Sequence, residues 1–368
     1  MSLPLDASYP LEVGDIGQGT ALDWTAGGTR DTRCIQTLRL GIDLGMNVID
    51  TAPIYESGHA EEVVGRAIAG RRNEAFVATK FSPEASRRDD VIRSAEASLR
   101  RLGTHWIDLL QVHWPHPSVP LEESLEAMFR LAEQGKVRHL GLGNCTARQI
   151  REALATEAAP HLLSVQQEYS LADRSIEAEI LPLCRENRLR LLAYSPLARG
   201  KIVPDDPRGR VLTEIAAKRG LSVAQVVLAW LRREDLVLPI PRSGREEHLR
   251  ENAAAAAITL DPQDVARIDR TYAMRTEPVA TDEIVVPGGD RVYTTLDEAI
   301  ENRFRLSPGP TDLAQRIAEG EMLKPIKVAV DRDDARRRYR LVEGRVRYWA
   351  WVIAHDGKRP IPAVVEGT

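Results

Sequence analysis

The sequence predicts an α/β protein in which a closed (β/α)8 barrel, the TIM-barrel architecture, is followed by a small α+β domain. Two observations predict the barrel. Short apolar or β-branched runs alternate with amphipathic helical patterns from about residue 36 to residue 258, and such alternation is typical of a parallel sheet with right-handed crossovers. About eight of these units fit into roughly 250 residues, which is the usual size of a closed barrel.

The predicted strands are separated by helical patterns, several of which end on glycine as helix C-termini often do. An open, doubly wound sheet is the main alternative, but it usually carries GxGxxG directly after its first strand. Gly17 and Gly19 are followed here by Thr-Ala-Leu, so the barrel is favoured. The strand-like runs lie at residues 14–20, 47–50, 75–80, 107–113, 137–144, 162–168, 189–195 and 236–241.

The alternation stops after a last helical pattern at residues 258–276, and a different composition begins near residue 280. Because a chain of 368 residues is longer than one ordinary domain, a second domain is expected. We therefore predict a barrel domain at residues 1–276 and an α+β domain at residues 281–368.

The charge and the cysteines indicate a soluble, intracellular protein. A net charge of −4 predicts no general attraction to nucleic acid or to anionic membranes. Three widely spaced cysteines favour reduced thiols over a disulfide framework. The N-terminal residues lack the pattern of a secretory signal, and no apolar run approaches the ~18 residues of a membrane span. We expect a cytoplasmic protein without membrane contact, and the sequence does not fix its oligomeric state.

Polar side chains stand at the carboxyl ends of the predicted strands, where the active site of such a barrel lies. Asp50, Lys80 and His113 end three consecutive strands, and Tyr55 follows Asp50 in the loop. A helix cap, a solvated charge or a satisfied histidine would explain each residue alone, but not their coincidence on one rim. The later strands end on Asn144, Gln166, Tyr194 and Arg242.

The first four residue types suit the reduction of a carbonyl group. Hydride addition leaves an alkoxide that needs a proton, and a free tyrosine with a pKa of about 10 is a poor donor at neutral pH. A neighbouring Lys80 ammonium favours the phenolate and is expected to lower the pKa of Tyr55, while Asp50 holds the lysine in position. His113 can hydrogen-bond the carbonyl oxygen and orient it. Asp50, Tyr55, Lys80 and His113 are therefore the predicted catalytic group.

A metal site is not predicted. His113 and His116 flank a Trp-Pro pair, but the proline breaks regular geometry and no cysteine or carboxylate completes a ligand set at the required spacing. The chemistry of the predicted group needs no metal.

Several ordered segments follow one another along the barrel part of the chain: NVIDTAPIYESGHAEEVVGRAI (47–68), ATK (78–80), IDLLQVHWP (107–115), GKVRHLGLGN, SVQQEYSLADR, LLAYSPLARG and LPIPRSGREEHLREN. In these segments the sequence resembles the aldo-keto reductase family, over roughly residues 10–270. The family consists of (β/α)8 barrels that reduce aldehydes and ketones with NADPH. The resemblance implies that Tyr55 is the general acid, that Lys80 and Asp50 are its partners, and that His113 orients the substrate.

The resemblance also implies a cofactor site. Asn144 and Gln166 would bind the nicotinamide carboxamide, and Tyr194 would stack on the ring. Arg242 and His248 would meet the 2′-phosphate, so NADP(H) is favoured and NAD(H) is left open. Gly143 stands where the family usually has serine, which implies a looser grip on the cofactor. Phosphates, ribose or adenine would be held by Ser195, Leu197, Ser243, Glu251 and Asn252.

Two tryptophans are candidates for the substrate pocket. Trp24 and Trp114 fall in loops above the first and fourth predicted strands. Apolar walls at this position would suit a small aldehyde or ketone, although plain packing explains Trp24 equally well.

The tail contains the segments LKPIKVAVD and YRLVEGRVRYWAWVIAHDGKRPIPAVV. In these segments it resembles the ParB N-terminal (ParB/sulfiredoxin-like) fold, over about 80 residues. It implies a phosphate site at a helix start formed by Gly344, Arg345 and Arg347. Residues 281–368 contain 15 Lys and Arg and 15 Asp and Glu, so this is not a basic DNA-binding surface.

The two resemblances leave an alternative function. A cofactor-sensing regulatory protein would use the barrel to bind its cofactor and the ParB-like domain to bind a nucleotide or a DNA-associated partner. The intact catalytic group favours an NADPH-dependent reductase of small aldehydes or ketones.

Overall fold

The computed structural model describes residues 11–21, 29–273, 276–289, 293–306, 308–321, 323–331 and 338–366. The chain divides into two compact units. The first, called the barrel unit below, comprises Met1–Pro115 and Val119–Tyr272, and the second unit comprises His116–Ser118 and Ala273–Thr368.

The barrel unit is built on an eight-stranded parallel sheet whose strands follow chain order. The first and last strands are joined by backbone hydrogen bonds from Gly17 N to Pro239 O (2.9 Å) and from Gly19 N to Pro241 O (3.0 Å). The predicted barrel is confirmed. The strands are β1 (Gln18–Gly19), β2 (Val48–Asp50), β3 (Phe76–Phe81), β4 (Ile107–Val112), β5 (Val137–Gly143), β6 (Leu162–Glu168), β7 (Arg190–Tyr194) and β8 (Val237–Pro239).

Helices cover the outside of the sheet, and their ends follow simple sequence rules. The third helix has Asp89 and Asp90 in its first turn, Arg100 and Arg101 in its last, and Gly103 with φ 61° as its C-cap. Acidic residues at the start and basic residues at the end of a helix interact favourably with its dipole, and glycine adopts the left-handed cap conformation without strain. The helices are α1 (Thr29–Asp43), α2 (His59–Ile68), α3 (Arg88–Leu102), α4 (Leu121–Glu133), α5 (Ala147–Leu154), α6 (Ile180–Glu186), α7 (Pro207–Arg219), α8 (Val223–Leu231), α9 (Glu246–Ala254) and α10 (Pro262–Thr271).

The helices α2 and α3 approach each other closely at Gly65. A Cβ atom built on Gly65 would lie 2.7 Å from the carbonyl oxygen of Leu102 and 2.8 Å from that of Arg101. Only glycine allows this contact without moving one of the helices, which matters because α2 directly follows the loop that carries Tyr55.

The interior of the barrel has an apolar lower layer and a polar upper layer. Side chains alternate between the two faces of a strand, so every second residue points inward. The lower layer is an apolar cluster that includes Val48, Phe76, Leu109, Leu192 and Leu238. Each such buried side chain contributes roughly 1.5–3 kcal/mol. Polar inward residues are therefore concentrated at the carboxyl ends of the strands, where a site can reach solvent.

The second unit is an α+β structure. Its elements are β9 (Thr276–Val279), β10 (Ile284–Val285), α11 (Leu296–Ile300), α12 (Pro310–Ala318), β11 (Ile326–Val330), β12 (Tyr339–Glu343), α13 (Arg345–His355) and β13 (Ile361–Glu366). The strands form a mixed five-stranded sheet in the order β10-β12-β11-β13-β9. Its core contains Trp349, whose indole donates to the carbonyl of Tyr293 over 2.9 Å. Because β9 belongs to this sheet, the unit begins before residue 281.

The described part of the chain contains neither a membrane-spanning helix nor a cluster of metal ligands. Among these residues no helix has the length and apolarity needed to cross a membrane. Within the same ranges no cluster of three or more His, Cys, Asp or Glu side chains could hold a metal ion.

Candidate active site

A buried ion pair between Lys80 and Asp50 lies at the centre of the barrel's upper layer. The Lys80 ammonium donates to Asp50 Oδ2 over 2.8 Å and to the carbonyl oxygen of Thr51 over 2.9 Å. Burial by itself favours the neutral amine, but Asp50 and Tyr55 outweigh it, and the pKa of Lys80 is raised. With only 1% of its surface exposed, Lys80 is a fixed buried cation.

Tyr55 is brought to this ion pair by a tight turn. The turn comprises Tyr55–Gly58, and its last three residues all have left-handed backbone angles, with φ of 48°, 54° and 94°. Lys80 Nζ lies 3.4 Å from the Tyr55 hydroxyl oxygen. Burial raises the pKa of Tyr55, and the opposing effect of Lys80 does not outweigh it. The expected net lowering of the Tyr55 pKa is therefore wrong, because the phenolate would lose more hydration than Lys80 compensates.

His113 faces Tyr55 from the end of β4. Their rings meet edge to face with centroids 5.8 Å apart, and the Trp114 ring stacks on His113 at 4.0 Å. Burial, reinforced by the charge of Lys80, lowers the pKa of His113 to about 3. Its buried Nδ1 has no hydrogen-bond partner in the described part of the chain. The ring is thus neutral at physiological pH and suited to hydrogen bonding rather than to carrying charge.

Two glutamines complete the surroundings of Asp50. Gln166 donates to Asp50 Oδ1 over 2.7 Å, and Gln111 donates to the same oxygen over 3.3 Å. Gln111 is not among the site residues predicted from the sequence, because it lies inside β4 rather than at its end. Its signal in the sequence is the alternation Leu109, Gln111, His113, which points a polar side chain into the barrel one layer below His113.

Asn144 connects three strands at the rim. Its side-chain amide donates to the carbonyl oxygen of His113 over 2.8 Å, and it accepts from the Tyr194 hydroxyl over 2.9 Å. Asn144 has φ 55°, a backbone conformation that asparagine tolerates better than most residues. Gly143 precedes it where a Cβ would lie 2.3 Å from the carbonyl oxygen of Val112, so this crossing favours glycine.

A cavity of about 560 Å³ opens above these residues. Its size is typical of a small-molecule or cofactor site. Arg199 and Gly200, in the loop after β7, also line it and were not predicted from the sequence. The predicted residues that line it are Asp50, Tyr55, His113, Trp114, Asn144, Gln166, Tyr194, Ser195, Leu197 and Arg242.

The remaining predicted cofactor residues lie beyond β8, outside this cavity. Ser243 lines a small neighbouring cleft and exchanges hydrogen bonds with the backbone of Arg245. His248, Glu251 and Asn252 stand on α9. His248 is exposed and contacts the Arg245 guanidinium over 2.8 Å, whereas Asn252 is only 3% exposed and offers little surface to a ligand. The structure thus brings Ser195, Leu197 and Arg242 to the cavity and Ser243 to the neighbouring cleft. His248, Glu251 and Asn252 line neither space.

Of the two predicted pocket tryptophans, Trp114 lies at the mouth of the cavity with 42% of its surface exposed. It therefore offers an apolar wall next to His113. Trp24 lies outside the described residues.

The predicted phosphate residues of the second unit surround the start of α13. Gly344 is the N-cap of this helix, with φ 100° and no side-chain cap. Arg347 donates to the carbonyl oxygens of Lys324 and Pro325, each over 2.8 Å, and lies 3.4 Å from the Glu343 carboxylate. Arg345 has a buried Nε for which the described residues supply no acceptor.

The residues around the cavity fit a nicotinamide cofactor. Side-chain amides from Asn144 and Gln166, the ring of Tyr194 and the cation of Arg242 line one continuous space, so a polar aromatic ring and a phosphate can both be accommodated. Beside it lie a phenol next to a buried ammonium and a neutral imidazole. Fold and site together are those of a barrel oxidoreductase.

Comparisons with known proteins agree with this class. The aldo/keto reductase family matches residues 15–273. The methylglyoxal reductase YeaE of Escherichia coli (strain K12) is 35% identical over 280 residues, which cover 76% of this chain and 96% of YeaE. The aldo-keto reductase YhdN of Bacillus subtilis (strain 168) is 39% identical over 206 residues, covering 53% of this chain and 61% of YhdN.

Solved structures show the same likeness. The crystal structure of an aldo/keto reductase from Klebsiella pneumoniae in complex with NADP and acetate is 37% identical, with a TM-score of 0.67, and the match covers 71% of this chain and 92% of that one. The chain therefore belongs to the aldo/keto reductase family. The predicted NADPH-dependent carbonyl reduction and the NADP(H) cofactor are confirmed by these relatives. The family match ends at residue 273, where the last segment of the second unit begins.

Proposed function

We propose that the barrel unit reduces small aldehydes and ketones, including α-oxoaldehydes such as methylglyoxal, with Tyr55 as the general acid. The observation that carries the proposal is the contact of the Tyr55 hydroxyl with a buried, carboxylate-paired Lys80. The E. coli relative that matches most of this chain is a methylglyoxal reductase, and this supports the substrate class.

Each residue of the group has a separate task in this proposal. NADPH, when bound, supplies the hydride. The Tyr55 hydroxyl gives its proton to the substrate oxygen as negative charge develops there, and Lys80 stabilises the phenolate that is left. Asp50 keeps Lys80 charged and in place. His113, which is neutral, binds the carbonyl oxygen and holds it within reach of Tyr55.

The first test is the substitution Tyr55→Phe, which removes only the donor oxygen. Loss of a general acid is expected to lower kcat by about 10²–10⁴-fold, with NADPH binding retained. Turnover is followed as NADPH consumption with methylglyoxal and a panel of simple aldehydes. The matched control is Tyr272→Phe, at a buried tyrosine outside the cavity. Wild-type turnover in Tyr55→Phe would refute the proposed role.

We also propose that Arg242 favours NADPH over NADH. It is exposed at the rim of the cavity, and its guanidinium donates to the carbonyl oxygen of Ala21. Arg242→Leu removes a charge-assisted contact to the 2′-phosphate worth roughly 1.5–3 kcal/mol, so the Kd for NADPH is expected to rise about tenfold or more. The Kd for NADH should change little. Arg151→Leu, at an exposed arginine on α5 that does not line the cavity, is the control. Equal weakening of both cofactors would contradict the assignment.

For the second unit we propose a ParB-like fold with a phosphate-binding helix start. The left-handed, uncapped Gly344 and the buried Nε of Arg345 support this proposal. Arg347 already donates to two carbonyl oxygens, so we do not expect it to bind the phosphate. Titration of the full chain with inorganic phosphate and with CTP tests the proposal. Saturable binding that is lost in Arg345→Ala supports it, and no binding at millimolar ligand rejects it.

The regulatory alternative predicts a different pattern. A cofactor-sensing protein would bind NADPH yet show no turnover on the aldehyde panel, and NADPH would change phosphate or nucleotide binding by the full chain. We propose a cytoplasmic location under either function. The three cysteines form no disulfide with one another, which agrees with this location.

A further inference from the structure

A buried carboxylate outside the cavity joins the two segments that carry Tyr55 and Lys80. Glu61 lies on α2, six residues after Tyr55, and its side chain is 0% exposed. It accepts a hydrogen bond from the Thr79 hydroxyl over 2.6 Å at Oε1 and one from Arg101 Nε over 2.7 Å at Oε2. Arg101 Nη2 also lies 2.6 Å from Oε2, so the two side chains form a salt bridge. A fully buried charge is tolerated only when it is paired in this way.

Arg101 supports the turn that presents Tyr55. A Cβ built on Gly58 would lie 2.7 Å from Cδ and 2.8 Å from Nε of Arg101, so the stem of this side chain lies directly against the turn. Glu56 and Ser57 hold left-handed angles, at an energetic cost for residues other than glycine. Such a turn persists only where its surroundings fix it, and here the surroundings are Arg101 held by Glu61.

Thr79 links the same carboxylate to the lysine. It is fully buried on β3 directly before Lys80. Because neighbouring residues of a strand point to opposite faces, Thr79 faces outward to α2 while Lys80 faces the cavity. Glu61 thus contacts, through one oxygen, the strand that carries Lys80 and, through the other, the arginine beneath the turn that carries Tyr55.

We propose that Glu61, together with Arg101 and Thr79, is a positioning unit that sets the 3.4 Å separation between the Tyr55 hydroxyl and Lys80 Nζ. None of the three lines the catalytic cavity, so they act only through the tyrosine and the lysine. A longer separation weakens the effect of Lys80 on the phenol. The proposal rests on the proposed role of Tyr55 as general acid.

The test is Glu61→Gln, which keeps the shape of the side chain and the bond to Thr79 but removes the charge that holds Arg101. We expect kcat to fall about tenfold or more, since small misplacements of catalytic groups are costly, with the Kd for NADPH unchanged. The basic limb of the kcat–pH profile should move to higher pH by about half a unit or more, because Lys80 then acts less on the acid.

The matched control is Asp108→Asn. Asp108 is a carboxylate with 1% exposure that is paired with Arg72 and Arg138 near the amino end of β4, away from the cavity. This variant should lose a comparable amount of thermal stability, yet keep the wild-type kcat and pH profile at a temperature well below its Tm.

Thr79→Val and Thr79→Ser keep the proposal testable if Glu61→Gln folds poorly. Val should lower kcat and shift the profile in the same direction, and Ser, which keeps the hydroxyl, should restore both. The proposal would be overturned if Glu61→Gln and Thr79→Val both had a lowered Tm but kept the wild-type kcat and pH profile. An active Tyr55→Phe would instead overturn the role of Tyr55, so the two failures are distinguishable.

Discussion

At the scale of single residues, His113 combines a buried ring with a cation nearby. Burial and Lys80 together lower its pKa to about 3, so it is neutral whenever the enzyme works near neutral pH. A neutral imidazole can donate a hydrogen bond to a carbonyl oxygen without competing with Tyr55, the proposed proton source. In the proposed mechanism, burial therefore separates the roles of the two residues.

The same pKa shift predicts a pH-dependent stability. Below the ordinary histidine pKa of 6.5 the unfolded chain takes up a proton that folded His113 does not. The contribution of His113 to the free energy of unfolding is thus fully present above pH 6.5 and is lost as the pH falls toward 3. Between pH 7 and pH 5 this one residue should account for about 2 kcal/mol of lost unfolding free energy.

The measurement is denaturant unfolding of wild type and His113→Gln at pH 7 and pH 5. The variant should lose about 2 kcal/mol less than wild type over this interval. His105→Gln, at an exposed position, controls for the removal of a histidine. Equal losses in wild type and His113→Gln would show that the folded ring is protonated normally.

At the scale of elements, the packing of α2 on α3 places the catalytic loop. The Cβ of alanine at Gly65 would meet the carbonyl oxygens of Arg101 and Leu102 well inside van der Waals distance. Gly65→Ala should therefore lower the unfolding free energy by about 1–3 kcal/mol, measured by denaturant titration. Gly288→Ala, where a Cβ would meet nothing within 4 Å, is the control. Unchanged stability of Gly65→Ala would mean that the two helices separate freely.

The strands and the rim residues could be predicted from the sequence because both depend on local order. A buried parallel strand is a short apolar run, and its end is marked by a polar residue such as Asp50, Lys80 or His113. Gln111 and Glu61 could not be assigned in this way. Strand alternation shows which face Gln111 occupies but not which residue it contacts, and Glu61 lies inside a helix with no local signal of its partners. The direction of the shift in the Tyr55 pKa could not be predicted either, because it depends on whether burial outweighs the charge of the neighbouring Lys80.

At the scale of the whole molecule, each unit encloses an apolar core of its own, and the catalytic cavity belongs to the barrel unit. A ligand that binds only the folded state stabilises it by about 2.7 kcal/mol at 100 times its Kd. NADPH is thus expected to raise the unfolding temperature of the barrel unit, measured by calorimetry of the full chain. Arg242→Leu at the same NADPH concentration should show a smaller rise, and the absence of any rise in wild type would contradict a cofactor site in this cavity.

The stack of Trp114 on His113 has an optical consequence. An indole at the mouth of the cavity emits at wavelengths that a reduced nicotinamide absorbs, so bound NADPH should quench Trp114 by energy transfer. Since the ring is 42% exposed and not part of the core, Trp114→Phe should remove this signal and leave the fold intact. The enzyme thus carries its own fluorescent reporter, with which cofactor arrival and departure can be timed in single turnovers without any added label.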